Sequence, residues 1–144
     1  MIYISHRGNL AGPKTDSENR PEYIQNAITA GYDVEIDVWF KNNKFYLGHD
    51  EPQYNIENNF LLKKEVWCHA KNLEALTEMK KIGSHYFWHE NDQFTLTSKG
   101  YIWTYPGNEL SYNSICVLPE KDLKKKTLEC AGVCSDFIKR YKLD

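Results

Sequence analysis

Glu35 and Asp37 stand two residues apart within an apolar run, Val34-Glu35-Ile36-Asp37-Val38. In a strand, side chains at i and i+2 share a face, so the two carboxylates project together while Ile36 faces the other way. Ionised carboxylates that close repel each other unless a cation joins them, and hard cations such as Mg²⁺ or Ca²⁺ take oxygen ligands of this kind. The flanking Val34, Ile36 and Val38 mark a buried strand, where an unpaired charge is costly. Ion pairing with Arg7 or Lys71, or a solvated strand edge, would also account for the pair. Histidine's unperturbed pKa lies near neutrality, so His6 and His49 could divide two proton transfers, one taking a proton and the other giving one. Arg7 and Lys71 offer positive charge to an anionic group, Arg7 with the forked geometry that suits phosphate.

The elements that carry these residues can be read from the pattern around them. Apolar runs at Met1–Ser5, Asp33–Phe40, Lys44–Gly48, Val66–Ala70, Ser84–His89, Tyr101–Tyr105, Ser114–Leu118 and Gly132–Asp136 read as strands. The Asn42-Asn43 turn makes a hairpin of the second and third. Helices are expected over Pro21–Ala30, with Pro21 in its first turn and Gly31 as its stop, and over Leu73–Ile82, closed by Gly83. A further helix is expected over Glu120–Cys130 and a short one after Asp136. Strands alternating with helices point to βαβ units and a mostly parallel sheet. Seven parallel candidates with short connections suit an abbreviated (β/α) barrel better than an open doubly wound sheet. The ionisable residues then gather where strands end, as the site of a barrel does.

At 144 residues the chain suits a single domain spanning its whole length. A net charge of −2 provides no positive field for nucleic acid. The basic run Lys124-Lys125-Lys126 reads as a solvated helix face. No apolar run reaches the roughly 20 residues that a membrane span requires, and the first residues lack the features of a signal peptide. Cys68, Cys116, Cys130 and Cys134 form no CxxC pair and read as free thiols in a reducing compartment. Together these features lead to the expectation of a cytoplasmic protein with no membrane insertion.

Ser5-His6-Arg7-Gly8, Glu18-Asn19, Val34-Glu35-Ile36-Asp37-Val38 and Leu47-Gly48-His49-Asp50, in that order, resemble the glycerophosphodiester phosphodiesterase family. That family's order is HRG, EN(T), an ExD strand and an HD turn. The likeness covers roughly the first 50 residues, and the wider superfamily includes phosphatidylinositol-type phospholipases C and spider-venom-like phospholipases D. The resemblance implies a TIM barrel with a divalent metal (Mg²⁺, Ca²⁺ or Mn²⁺) held by Glu35 and Asp37. His6 and His49 would act as general base and general acid about phosphorus, and Arg7, Glu18 and Asn19 would organise the site or bind phosphate. Lys71 matches the family's lysine two residues after a third metal ligand.

That third ligand is usually acidic, whereas the matching strand here reads Cys68-His69-Ala70-Lys71. His69 in that place gives two carboxylates and one imidazole, a set that shifts preference towards Mn²⁺, Zn²⁺ or Fe²⁺. Arg20 replaces the family's threonine, and the C-terminal half is short for the family. The implied substrate is a small-molecule phosphodiester such as a deacylated phospholipid head group, an activity of lipid metabolism. The alternative is a barrel module that binds phosphate or metal without turnover. A barrel short of a unit also leaves sheet edges that a second subunit can cover.

Overall fold

The computed structural model describes residues 1–122 and 129–143. Strand β1 (Ile2–His6) lies between β2 (Asp33–Lys41) and β10 (Gly132–Ser135), parallel to both. Outward from β2 come β5 (Val66–Ala70) and the two-residue β6 (Tyr86–Phe87), and outward from β10 come β9 (Ser114–Val117) and β8 (Ile102–Thr104). All seven expected parallel strands are therefore present. Three antiparallel strands complete the sheet: β3 (Lys44–Leu47) on β2, β4 (Tyr54–Ile56) on β3, and β7 (Phe94–Leu96) on β8. The fold is thus mixed α/β, with a ten-stranded, mostly parallel sheet among the described residues.

The sheet is open, because β6 pairs with β5 alone. Its two parallel ends nevertheless approach each other. The rings of Phe87 on β6 and Trp103 on β8 lie 4.6 Å apart, and Ser98 N–H donates to the Tyr86 carbonyl at 2.8 Å. Ile4, Trp67, Phe87, Trp103, Ile115, Val117 and Cys134 form one cluster inside this curve. The outer face of β2, carrying Val34, Ile36 and Val38, packs instead with Ile24 and Ala27 of α1 (Pro21–Thr29) and Ala75 and Met79 of α3 (Leu73–Ile82). The i, i+2 alternation of β2 therefore sorts apolar side chains outward and carboxylates inward.

Local chemistry sets the boundaries. Pro21 occupies the first turn of α1, where its missing N–H costs no helix bond. Asn72 caps α3 by accepting the Ala75 N–H at 3.1 Å, and its amide also donates to the Phe40 carbonyl at 2.9 Å. One side chain thereby ties the start of α3 to β2. Elements too short for a periodic signal went unread: β4, β7 and the single turn α2 (Asn58–Leu61).

Three expectations need correction. The strand at Ser84–His89 shrinks to Tyr86–Phe87, since His85 bonds Thr97 and the chain leaves the sheet at Trp88. The short helix after Asp136 is a single 3-10 turn, Ile138–Arg140. At the start of the stretch where a helix was expected, Glu120–Cys130, a 3-10 turn covers Pro119–Lys121 and Asp122 is extended. Residues 123–128, with the basic run, lie outside the described residues. No helix among the described residues is long and apolar enough to cross a membrane.

Candidate metal centre and its acid-base neighbour

Parallel register brings the chemistry together. His6 of β1 sits opposite Glu35 of β2, and Asp37 of β2 sits opposite His69 of β5. Side chains in register on one face are neighbours across the ladder, so four separate sequence signals converge at one sheet end. Potential ligand atoms of Glu35, Asp37 and His69 all lie within 4.8 Å of one another. His69 Nδ1 is 3.1 Å from Asp37 Oδ1 and 3.7 Å from Glu35 Oε1.

Asp37 is fully buried, and each of its oxygens has a function. Oδ2 accepts from Asn19 Nδ2 at 2.8 Å and makes an ionic contact with Arg7 Nε at 3.0 Å. The Asp37 N–H in turn donates to Asn19 Oδ1 at 3.0 Å, so Asn19 clasps this residue at both ends. Burial alone would raise the pKa of Asp37. The hydrogen bond from His69 and the charge of Arg7 outweigh it and hold the carboxyl well below the usual carboxylate range. Glu35 shows the opposite balance. Burial and the neighbouring Asp37 raise its pKa, and its Oε2 is buried without a hydrogen-bond partner.

The donor set fits a divalent cation. Two carboxylates and an imidazole nitrogen converge, and one of those carboxylates carries an oxygen without a hydrogen-bond partner among the described residues, a charge that a cation there would offset. His69 Nδ1 faces Asp37 Oδ1 at 3.1 Å and Nε2 faces the His89 carbonyl at 3.3 Å, and both oxygens accept. A cation held at Nδ1 would take the place of the hydrogen that Nδ1 gives to Asp37, with Nε2 still held by the His89 carbonyl. The ring is fixed from both sides by Phe87, stacked at 5.2 Å, and His89, stacked at 4.7 Å.

His6 is held by a residue from the far end of the chain. Its Nδ1 donates to Asp136 Oδ1 at 2.7 Å, while Nε2 lies 3.8 Å from Glu35 Oε2. Burial disfavours the imidazolium, but the hydrogen bond to Asp136 and the field of Glu35 prevail, so His6 keeps its proton above its ordinary range. Asp136 shifts the other way: burial raises it, and the bond from His6 overcomes this and lowers it. Asp136 also accepts from Asn9 Nδ2 at 2.8 Å, and its N–H donates to Glu120 Oε1 at 3.0 Å.

Two turns aim the strand ends. Arg7 adopts a left-handed φ of 54° and Gly8 one of 93°. A Cβ on Gly8 would come within 2.5 Å of the Tyr23 ring, so this turn closes against α1 only with glycine. At the other turn, Gly48 has φ 154° and a Cβ there would lie 2.0 Å from the Glu51 carbonyl oxygen. The Trp39 indole N–H donates to the Gly48 carbonyl at 2.7 Å, which fixes the base of the His49 loop.

A cavity of about 540 Å³ opens over these groups, lined on one side by His6, Arg7, Glu18, Glu35, His49, His69 and Lys71. Asp37 and Asn19 lie beneath that surface. His49 stands at the rim, its side chain 45% exposed, with Nδ1 bonded to Asp50 at 2.7 Å. Lys71 follows β5 with its N–H donating to the Val38 carbonyl at 2.9 Å. Glu18 supports its neighbours through Arg7 Nη1 at 3.4 Å and Asn9 Nδ2 at 2.8 Å. The geometry thus makes Glu18 and Asn19 supports of the charged groups, while Arg7, Lys71 and His49 face the open space.

Asn9, Glu120 and the His6 contact of Asp136 were not read from sequence. Asn9 is an uncharged loop residue with no periodicity to mark it, and Glu120 lies beyond a strand. Asp136 did carry a signal, as the polar residue that follows the last strand. Compared with protein-family models, curated proteins and solved structures, the chain matches none.

Proposed function

We propose that this chain is a metal-dependent phosphodiester hydrolase built on an abbreviated β/α barrel. The observation that carries the reading is the juxtaposition, in one cavity, of the Glu35–Asp37–His69 donor set with a buried His6–Asp136 pair. His6 lies outside the donor set, so its orientation by Asp136 is not needed to hold the cation, and an imidazole held in this way suits proton transfer. The order of the four sequence motifs supports the same reaction class and a glycerophosphodiester-like substrate.

In this reading Glu35, Asp37 and His69 hold a divalent cation. The cation supplies charge neutralisation at phosphoryl oxygens. Arg7 and Lys71 line the same cavity and add positive charge for the phosphate. His6 exchanges a proton at Nε2 while Asp136 stabilises the imidazolium through Nδ1. His49, open to solvent, handles the second proton at the rim. One imidazole takes the proton of the attacking hydroxyl or water, and the other protonates the ester oxygen that leaves, so the site returns to its starting charge.

The test is hydrolysis of bis(p-nitrophenyl) phosphate by metal-stripped protein, with Mg²⁺, Ca²⁺, Mn²⁺ and Zn²⁺ restored in turn. The expected result is metal-dependent release of p-nitrophenol, reduced about a hundredfold or more in His6→Ala, the usual scale of acid-base catalysis. No turnover with any metal, in protein shown to be folded, would leave a binding module in place of an enzyme.

A further inference from the structure

The cavity is chemically two-sided, and the side facing the metal donors is aromatic. From β1, β2 and β5 come His6, Arg7, Glu35, His69 and Lys71, all polar. From the ends of β6 and β8 come Trp88, His89, Trp103 and Tyr105. Trp103, His89 and Tyr105 join a continuous stack, while Trp88 packs against the cluster on the outer face of β2. Trp103 lies 4.6 Å from Phe87, Phe87 lies parallel to His69 at 5.2 Å, and His69 stacks on His89 at 4.7 Å. His89 then meets Tyr105 at 4.2 Å. The stack runs from the barrel interior through a donor residue to the cavity wall.

One pair of polar tips on this wall is engaged, while His89 Nδ1 is buried without a hydrogen-bond partner among the described residues. The Tyr105 hydroxyl is hydrogen-bonded to His89 Nε2. Trp88 and Tyr105 remain half-buried, leaving ring surface open to the space. A phosphodiester has two ester arms, and a phosphate beside Arg7 and Lys71 directs one of them at this wall. A polyol arm would set most of its hydroxyls against ring carbon, losing water contacts there. A flat arm instead gains stacking area on rings that are rigidly held.

Resting on the hydrolase reading above, we propose that the wall formed by Trp88, His89 and Tyr105 binds a planar aromatic group, so that one ester arm of the preferred substrate is an aryl or nucleobase-bearing alcohol. The product-like monoester carrying that arm binds better than its polyol counterpart.

The experiment is calorimetric titration of Mn²⁺-loaded protein with phenyl phosphate, glycerol 3-phosphate, 5′-AMP and 5′-UMP. The wild type should bind at least one planar ester about tenfold more tightly than glycerol 3-phosphate. That preference should fall below about threefold in Tyr105→Leu or Trp88→Leu, with affinity for glycerol 3-phosphate unchanged. A nucleotide exceeding phenyl phosphate assigns the arm to a nucleobase, and the reverse assigns it to a simple aryl group. Equal wild-type affinity for planar and polyol esters overturns this inference and leaves the hydrolase reading standing. Binding of none of the four esters, with metal bound, overturns both.

Discussion

Glu35 is 2% exposed, its Oε2 has no hydrogen-bond partner, and Asp37 shares its face of the strand. Glu35→Gln removes the charge at nearly constant shape, so it should act in opposite directions with and without metal. A buried unsatisfied group costs about 1–3 kcal/mol. Because glutamine still brings an amide that needs partners, the low end applies, and metal-stripped Glu35→Gln should gain about 1 kcal/mol, or about 3 °C in Tm for a chain of this size. With metal at a hundred times its Kd, the wild type gains about 2.7 kcal/mol, whereas the variant, short of one ligand, gains little. The melting order therefore reverses on adding metal.

The pH dependence follows from the direction of the Glu35 shift. Its folded pKa is raised, so the native state favours the protonated carboxyl. The penalty is absent below the ordinary carboxylate range and grows as pH rises through that range towards the folded value. The gain from Glu35→Gln in stripped protein should thus vanish at about pH 4 and be larger at about pH 8. Thermal denaturation of both proteins at both pH values, with and without Mn²⁺, decides the matter. A stripped variant less stable than wild type, or metal stabilising both equally, would refute the reasoning.

Asp136→Asn replaces a charge-assisted bond to His6 by a neutral one and should lower stability by about 2 kcal/mol at about pH 6. The His6 contribution is full below the ordinary imidazole range and lost as pH rises through its raised folded value, so urea denaturation at about pH 9 should show a smaller cost. Asn19→Ala removes both hydrogen bonds to Asp37 and strands a buried N–H. It should cost about 2–4 kcal/mol in urea denaturation and weaken metal binding about 10–100-fold by calorimetry. His69→Asp exchanges an imidazole for a carboxylate, so activity ranked across metals should move from Mn²⁺ or Zn²⁺ towards Mg²⁺ or Ca²⁺. An unchanged ranking would remove His69 from the ligand set.

What the sequence displayed was the part of the fold written in short-range pattern. The alternation in β2 was legible because Val34, Ile36 and Val38 pack outward while Glu35 and Asp37 turn in. The extents of α1 and α3 were legible because Pro21, Gly31 and Gly83 mark their ends. Illegible were β4, β7 and α2, elements of three or four residues where no period can develop, and the curling of the sheet, which depends on contacts such as Phe87 to Trp103. In the site, every ionisable group on β1, β2 and β5 could be named in advance. Of their supports Glu18 and Asn19 could be named too, but the hold of Asp136 on His6 and Asn9 could not, because it forms only after the last strand docks beside the first. Nor did sequence separate the buried, paired His6 from the half-exposed His49.

The central claim is that one bound cation and His6 together make a hydrolytic centre. It is tested most directly by titrating Mn²⁺ into metal-stripped protein while following bis(p-nitrophenyl) phosphate turnover, with His6→Ala carried in parallel. The account predicts turnover that saturates at one ion per chain in the wild type, and a His6→Ala protein that binds the ion equally but hydrolyses about a hundredfold more slowly or worse. Turnover that ignores the metal, or that survives unchanged in His6→Ala, would contradict it.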